Sequence, residues 1–219
     1  MMLLKDISLY LNVDEYERIY RSDFQFRSRY LCNFVRRRIT PLRFRTEGFG
    51  SIAVQGCREP KEGCPIEGEK VAVPKVKFDR QQYDSLRPAE CHEFFIGMLL
   101  QGLEKCAHRH RIPLLEMKAA IDEFRVGGYR NEWTFKKRIF RPVGLKASLN
   151  CSLDMEKFIL TLEVERKGVV IYDAPILETK PDELIFASQF KDVVLDGQAL
   201  AVKDELGMTT FSLDLGAVT

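Results

Sequence analysis

The sequence predicts an α+β fold: an antiparallel sheet, mainly residues 134–215, packed against two helices at about 88–108 and 114–126. Three observations predict it. First, "LKASLNCSL" places Leu145, Ala147, Leu149, Cys151 and Leu153 on one side and Lys146, Ser148, Asn150 and Ser152 on the other, the period of a half-buried strand. "KFILTLEVE" repeats it with Phe158, Leu160, Leu162 and Val164. Second, "DMEK" and "RKG" are too short for anything but hairpins, so these strands are antiparallel neighbours. Third, residues 88–108 carry Cys91, Phe95, Met98, Leu99, Gly102 and Cys106 on one helical stripe, which needs a sheet to cover.

The elements follow in order. "KDISLYLNV" reads as an opening strand. "NVDEYERIYR" reads as a short helix with Asn12 as cap and Glu15 three residues on. "SDFQ" offers a second capping box, Ser22 with Gln25, for a helix from about Asp23 to Arg38 that stacks Phe26, Tyr30, Leu31, Phe34 and Val35 on one broad face. The rival is a strand at "DFQFRSRY", whose alternation fails at Ser28 and after Tyr30; the helix is preferred, and Pro41 stops it. Residues 46–70, rich in glycine and proline, read as a loop or loose hairpin, "EGFGSIAVQG" included. "KVAVPKVKF" is a strand that Pro74 assigns to an edge or a bulge. Pro88 and Pro113 suit the first turns of the two helices, and Gly127 and Gly128 end the second. "KPDELIFASQF" adds a short helix, and "ALAVKDELGMTTFSLDL" a last hairpin.

At 219 residues with 45% hydrophobic and 30% charged side chains, the chain buries a sizeable core, and a single domain over 1–219 is expected, with a minor boundary at 46–70. Net charge is only +2, so no global field draws it to nucleic acid or membrane. The longest apolar runs, such as "FFIGMLL", fall far short of the ~20 residues of a membrane helix. "MMLLKDISLYLNVDEYE" has no basic leading segment, so a cytoplasmic protein is expected, in which the "NCS" pattern at Asn150 carries no sugar.

The stretch 89–113 holds all three histidines and two of the six cysteines. On a helix, Cys91 and Cys106 lie roughly 22 Å apart and cannot share a metal or a bond. Cys106, His108 and His110 are close, with Cys57 or Cys64 conceivable as a fourth ligand; the plainer reading makes "HRHR" the basic last turn of a helix. A Cys57–Cys64 bridge is the minor alternative to free thiols. The chain lacks a P-loop, a GxGxxG after a strand, HExxH, GxSxG and CxxC, so neither a metal nor another cofactor is expected, and no catalytic residue can be assigned.

The most unusual segment is "FQFRSRYLCNFVRRRITPLRFR", with seven arginines and no acid. Arg27, Arg29, Arg36, Arg37, Arg38, Arg43 and Arg45 are the candidate partner-binding residues. They suit an acidic protein partner through paired contacts to carboxylates, and less well single-stranded nucleic acid on the interleaved aromatics. The blander account makes the aromatics core and the arginines helix-end charges. The leading expectation is a non-enzymatic, cytosolic protein-binding module, such as an inhibitor or immunity-type protein that neutralises a partner like a toxin. Nucleic-acid binding through 24–45 and an enzyme without a linear motif are the alternatives.

Overall fold

The computed structural model describes residues 1–68 and 70–218, and the chain divides into two compact units, Met1–Asn131 and Glu132–Thr219. The division falls at Asn131/Glu132; the 46–70 segment lies wholly inside the first unit. The α+β class is the one observed.

The first unit holds β1 (Met2–Leu3), β2 (Asp6–Leu11), α1 (Arg18–Ile39), β3 (Arg45–Thr46), β4 (Ser51–Cys57), β5 (Ile66–Glu67), β6 (Val71–Ala72), β7 (Lys75–Lys77), α2 (Arg80–Asp84), α3 (Pro88–Ala107) and α4 (Leu114–Val126). Its centre is parallel. β2 runs beside β4 from Asp6 opposite Ser51 to Leu11 opposite Gly56. On its other edge β4 meets β6 through Ser51 and Ile52, then β7 through Gln55 to Cys57. The chain breaks between these two short strands at Val73 and Pro74, where the Pro74 carbonyl accepts the Gln55 N–H at 2.9 Å. Proline thus keeps its acceptor in the ladder and interrupts the strand, as its missing donor requires.

The loop or loose hairpin expected over 46–70 is therefore corrected at 51–57, which is the central strand. A strand flanked on both edges and covered on its faces shows no alternation, and Ile52, Val54, Gln55 and Cys57 are all buried. Its glycine marks close packing instead of a turn: a Cβ at Gly56 would sit 2.8 Å from Leu11 and 2.9 Å from Met98.

α1 is a helix, as preferred over the strand, and buries Phe24, Tyr30, Leu31, Phe34 and Val35. It begins at Arg18, ahead of the expected Ser22 cap, which lies inside it. The short helix expected from Asn12 does not form over 12–17. Asn12 Oδ1 accepts the Asp14 N–H at 2.9 Å, a local turn that competes with helix geometry. α3 and α4 occupy the expected spans, with Pro88 in the first turn and Gly127 at the end. The sheet they cover differs from the expected one: α3 lies on β4, β7 and β2 and also meets α1 and α4.

The second unit is built from β8 (Glu132–Phe140), β9 (Leu145–Leu153), β10 (Phe158–Arg166), β11 (Val169–Thr179), α5 (Glu183–Phe186), β12 (Asp192–Asp196), β13 (Ala199–Lys203) and β14 (Thr209–Asp214). β11-β10-β9-β8 is one antiparallel sheet and β12-β13-β14 another. The alternation in β9 and β10 is honoured except at Ser148, which is buried, and the strands pair from Phe158 opposite Leu153 to Arg166 opposite Leu145. β12 runs near β8, where Asp192 receives two hydrogen bonds from the Arg138 guanidinium and pairs with Lys136 at 3.6 Å. No described helix is long and apolar enough to cross a membrane.

Candidate functional site

The seven expected arginines do not form one patch. Arg27 is half-buried against α3: it donates to Tyr83 Oη at 3.1 Å and to Cys91 Sγ at 3.4 Å. Arg37 donates to Asn33 Oδ1 at 3.1 Å and to Asn131 Oδ1. Arg38 holds Glu123 with both nitrogens, at 2.9 and 2.5 Å, and lies over the Phe34 ring. Arg29 and Arg36 are half-buried on α1. Only Arg43 and Arg45 are exposed and without an ion pair among the described residues. Of the interleaved aromatics Phe24, Tyr30 and Phe34 are core, whereas Phe26 and Phe44 are half-exposed. Phe24 packs edge-on to Phe78 and Phe95 at 5.3 and 5.5 Å, and Phe34 stands 4.9 Å from Phe124. Buried rings offer no platform for bases.

A different grouping emerges at the other end of α3. The helix stops at Ala107 with His108 as its C-cap, so "HRHR" lies mostly beyond the helix and is not its last turn. His108 bonds back to the Glu104 carbonyl at 2.7 Å, and Arg109 and Arg111 project into solvent. Arg111 lies 5.9 Å over the ring of Phe44, between Arg43 and Arg45. Two segments distant in sequence, 43–45 and 109–111, thus meet through Arg111 and Phe44, and between them they carry four exposed arginines, Arg43, Arg45, Arg109 and Arg111. Nothing in the linear pattern joins 43–45 to 109–111; the pairing is a product of the fold.

Arg109 also lines an open groove of about 470 Å³ with Lys61, Glu62, Gly63, Cys64, Pro65, Lys75 and His110. Its charges are mainly positive. Glu62, the one acid, pairs with Lys105 at 3.4 Å. Beside Lys75 in register stands Gln55, 7% exposed, whose Oε1 accepts no hydrogen bond among the described residues. At the inner end, His110 holds two cysteines. Its N–H donates to the Cys106 carbonyl at 2.8 Å, and its Nε2 meets the Cys64 carbonyl at 2.7 Å, so Nε2 carries the proton. The Cys64 and Cys106 thiols hydrogen-bond to each other. Cys106, buried and on the donor side of that bond, has its pKa raised; the same bond lowers that of Cys64.

Cys57 is elsewhere engaged, its thiol directed to the Val76 carbonyl, and all six cysteines are free thiols, so the Cys57–Cys64 bridge is not the pairing present. Among the described residues no three His, Cys, Asp or Glu side chains form a metal-binding group. No protein-family model, curated protein or solved structure matches the chain. Its function must be read from this chemistry alone.

Proposed function

We propose that the protein is a non-enzymatic binding module whose target is an acidic protein surface, held by Arg43, Arg45, Arg109 and Arg111 around Phe44. One observation carries this reading: the Arg111 guanidinium lies over the half-exposed Phe44 ring, so two segments carrying four exposed arginines meet, and none of the four has an ion pair among the described residues. Like charges gathered this way repel one another, a cost that a partner's carboxylates remove. Arginine with an aromatic is also the composition of binding hot spots, because the planar fork pairs with carboxylates through two hydrogen bonds. Lys61 extends the same charge into the groove, where Lys75 is paired with Glu67 at 3.9 Å. A cytoplasmic inhibitor that neutralises its partner, as immunity proteins neutralise toxins, is the form of binding module that fits best.

The test is capture of partners from native lysate by the wild-type chain and by a variant with all four arginines changed to Glu, with and without nuclease. A stoichiometric protein captured only by the wild type, and still captured by Arg38→Ala, supports the proposal. Arg38 is the suitable control because Glu123 already satisfies it. Nucleic acid that vanishes with nuclease would replace the acidic-protein reading with a phosphate-binding one. A partner held equally by the variant would refute the assigned surface.

A further inference from the structure

We propose that Cys64 and Cys106 form a reversible dithiol–disulfide site, open to low-molecular-weight disulfides that carry anionic groups. The two thiols touch, although they come from elements far apart in sequence: Cys64 from the loop after β4, Cys106 from the last turn of α3. His110 fixes both backbones, because one residue bonds the carbonyls of both cysteines. The pair is asymmetric. Cys64 lines the groove, whereas Cys106 is fully buried behind it. That is the arrangement of an attacking thiol and a resolving thiol. The other cysteines are buried, and none of them lines this groove.

The groove chooses the reactant. Its volume of about 470 Å³ lies within the range of small-molecule sites. Lys61 and Arg109 on its wall favour a disulfide with carboxylates, Lys75 being paired with Glu67. Cys64, on the groove side of the pair, is the thiol a dissolved disulfide meets first, and the Cys106 thiol beside it stabilises the thiolate as it forms.

The steps balance. The Cys64 thiolate attacks one sulfur of RS–SR, forming a mixed disulfide and releasing RS⁻. Cys106 gives up its proton to that thiolate, and its sulfur then attacks Cys64 Sγ, forming the Cys64–Cys106 bond and releasing the second RS⁻, which takes a proton from solvent. Two protein thiols are oxidised and one small disulfide is reduced to two thiols. The thiol chemistry requires no protein partner, although Arg109 on the groove wall also belongs to the proposed binding surface.

The experiment treats the full chain with glutathione disulfide and maps cysteines by peptide mass spectrometry over time. The expected product is a Cys64–Cys106 cross-link that dithiothreitol reverses, with Cys64 reacting about tenfold or more faster than any other cysteine. Cys106→Ser should stop at a single glutathione adduct on Cys64. Lys61→Ala with Arg109→Ala should slow glutathione disulfide but leave the neutral hydroxyethyl disulfide unaffected. First reaction at another cysteine, a Cys57–Cys64 product, or no cross-link in the folded wild type would each overturn the proposal. Because the wild-type mapping stands alone, a variant that fails to fold does not obscure the result.

Discussion

Replacing Gly102 by Ala sets two effects of opposite sign against each other. In an exposed helix interior the change gains about 1 kcal/mol of helix propensity. Gly102, however, faces β4 from α3, and its new Cβ would stand 2.4 Å from both methyl carbons of Val54 and 2.9 Å from the Val54 Cβ. Ordinary carbon contacts lie at about 3.5–4.0 Å, so helix and strand must part by about 1 Å. Phe95, Leu99 and Leu103 on the same helix are fully buried and lose contact together. Overpacking of this kind costs about 1–3 kcal/mol, and here the backbone on both sides resists, so a net loss of about 2 kcal/mol is expected. Urea titration followed by the helical circular-dichroism band reports on the first unit, which holds α1, α3 and α4. Val54→Ala alone should cost about 2 kcal/mol for its cavity. The double variant should be more stable than the sum of the singles by at least about 1 kcal/mol, since the new methyl enters the space Val54 vacates. A neutral or stabilising Gly102→Ala, or strict additivity, would refute the close approach of α3 to β4.

Two further outcomes are expected in the first unit. His92 Nδ1 and the Tyr30 hydroxyl share a hydrogen bond of 2.5 Å, and the ring stacks on Tyr129 at 4.3 Å; burial lowers its pKa, against the opposing pull of Glu93. The folded pKa lies below the unfolded value of about 6.5, so this contribution is present above pH ~6.5 and is lost as pH falls towards the folded value. His92→Phe should flatten that slope, and an NMR titration midpoint above about 6.5 would contradict it. Asn131, 2% exposed, donates to the Tyr30 carbonyl at 2.8 Å and to Asn33 Oδ1 at 3.0 Å while accepting from Arg37. Asn131→Ala should cost about 1–3 kcal/mol in the same urea assay, and a change within ~0.5 kcal/mol would show that the network is dispensable.

The parts of the fold that could be read from sequence are those in which each residue reports its own environment. Strands β9 and β10 have one inward face, so their alternation survives in the letters, and a four-residue link sets their register. The helix at 88–107 announces itself through Pro88 and its apolar stripe. Strand β4 is illegible for the opposite reason: from Val54 to Cys57 it is buried on both faces, and its one glycine, Gly56, serves packing while resembling a loop. The candidate site was half legible. Composition singles out the arginines of 24–45, but which remain exposed depends on remote partners: Tyr83 for Arg27, Asn131 for Arg37, Glu123 for Arg38. The approach of Arg111 to Phe44, and of Cys106 to Cys64, has no linear signature at all.

The parallel ladder between β2 and β4 bears on how the chain comes into being at the ribosome. Among the described residues β2 has no strand partner but β4, and the intervening residues 12–50 must be translated before that partner exists. Until then β2 and α1 have only each other to pack on, and the edge of β2 that takes β4 stays open. β4 in turn waits for β6 and β7 on its far edge and for α3 above it. A nascent chain halted near residue 50 would therefore display a naked sheet edge and a greasy helix, the form in which chaperones and proteases would meet it. The first unit becomes a folded object only once translation has passed its third long helix.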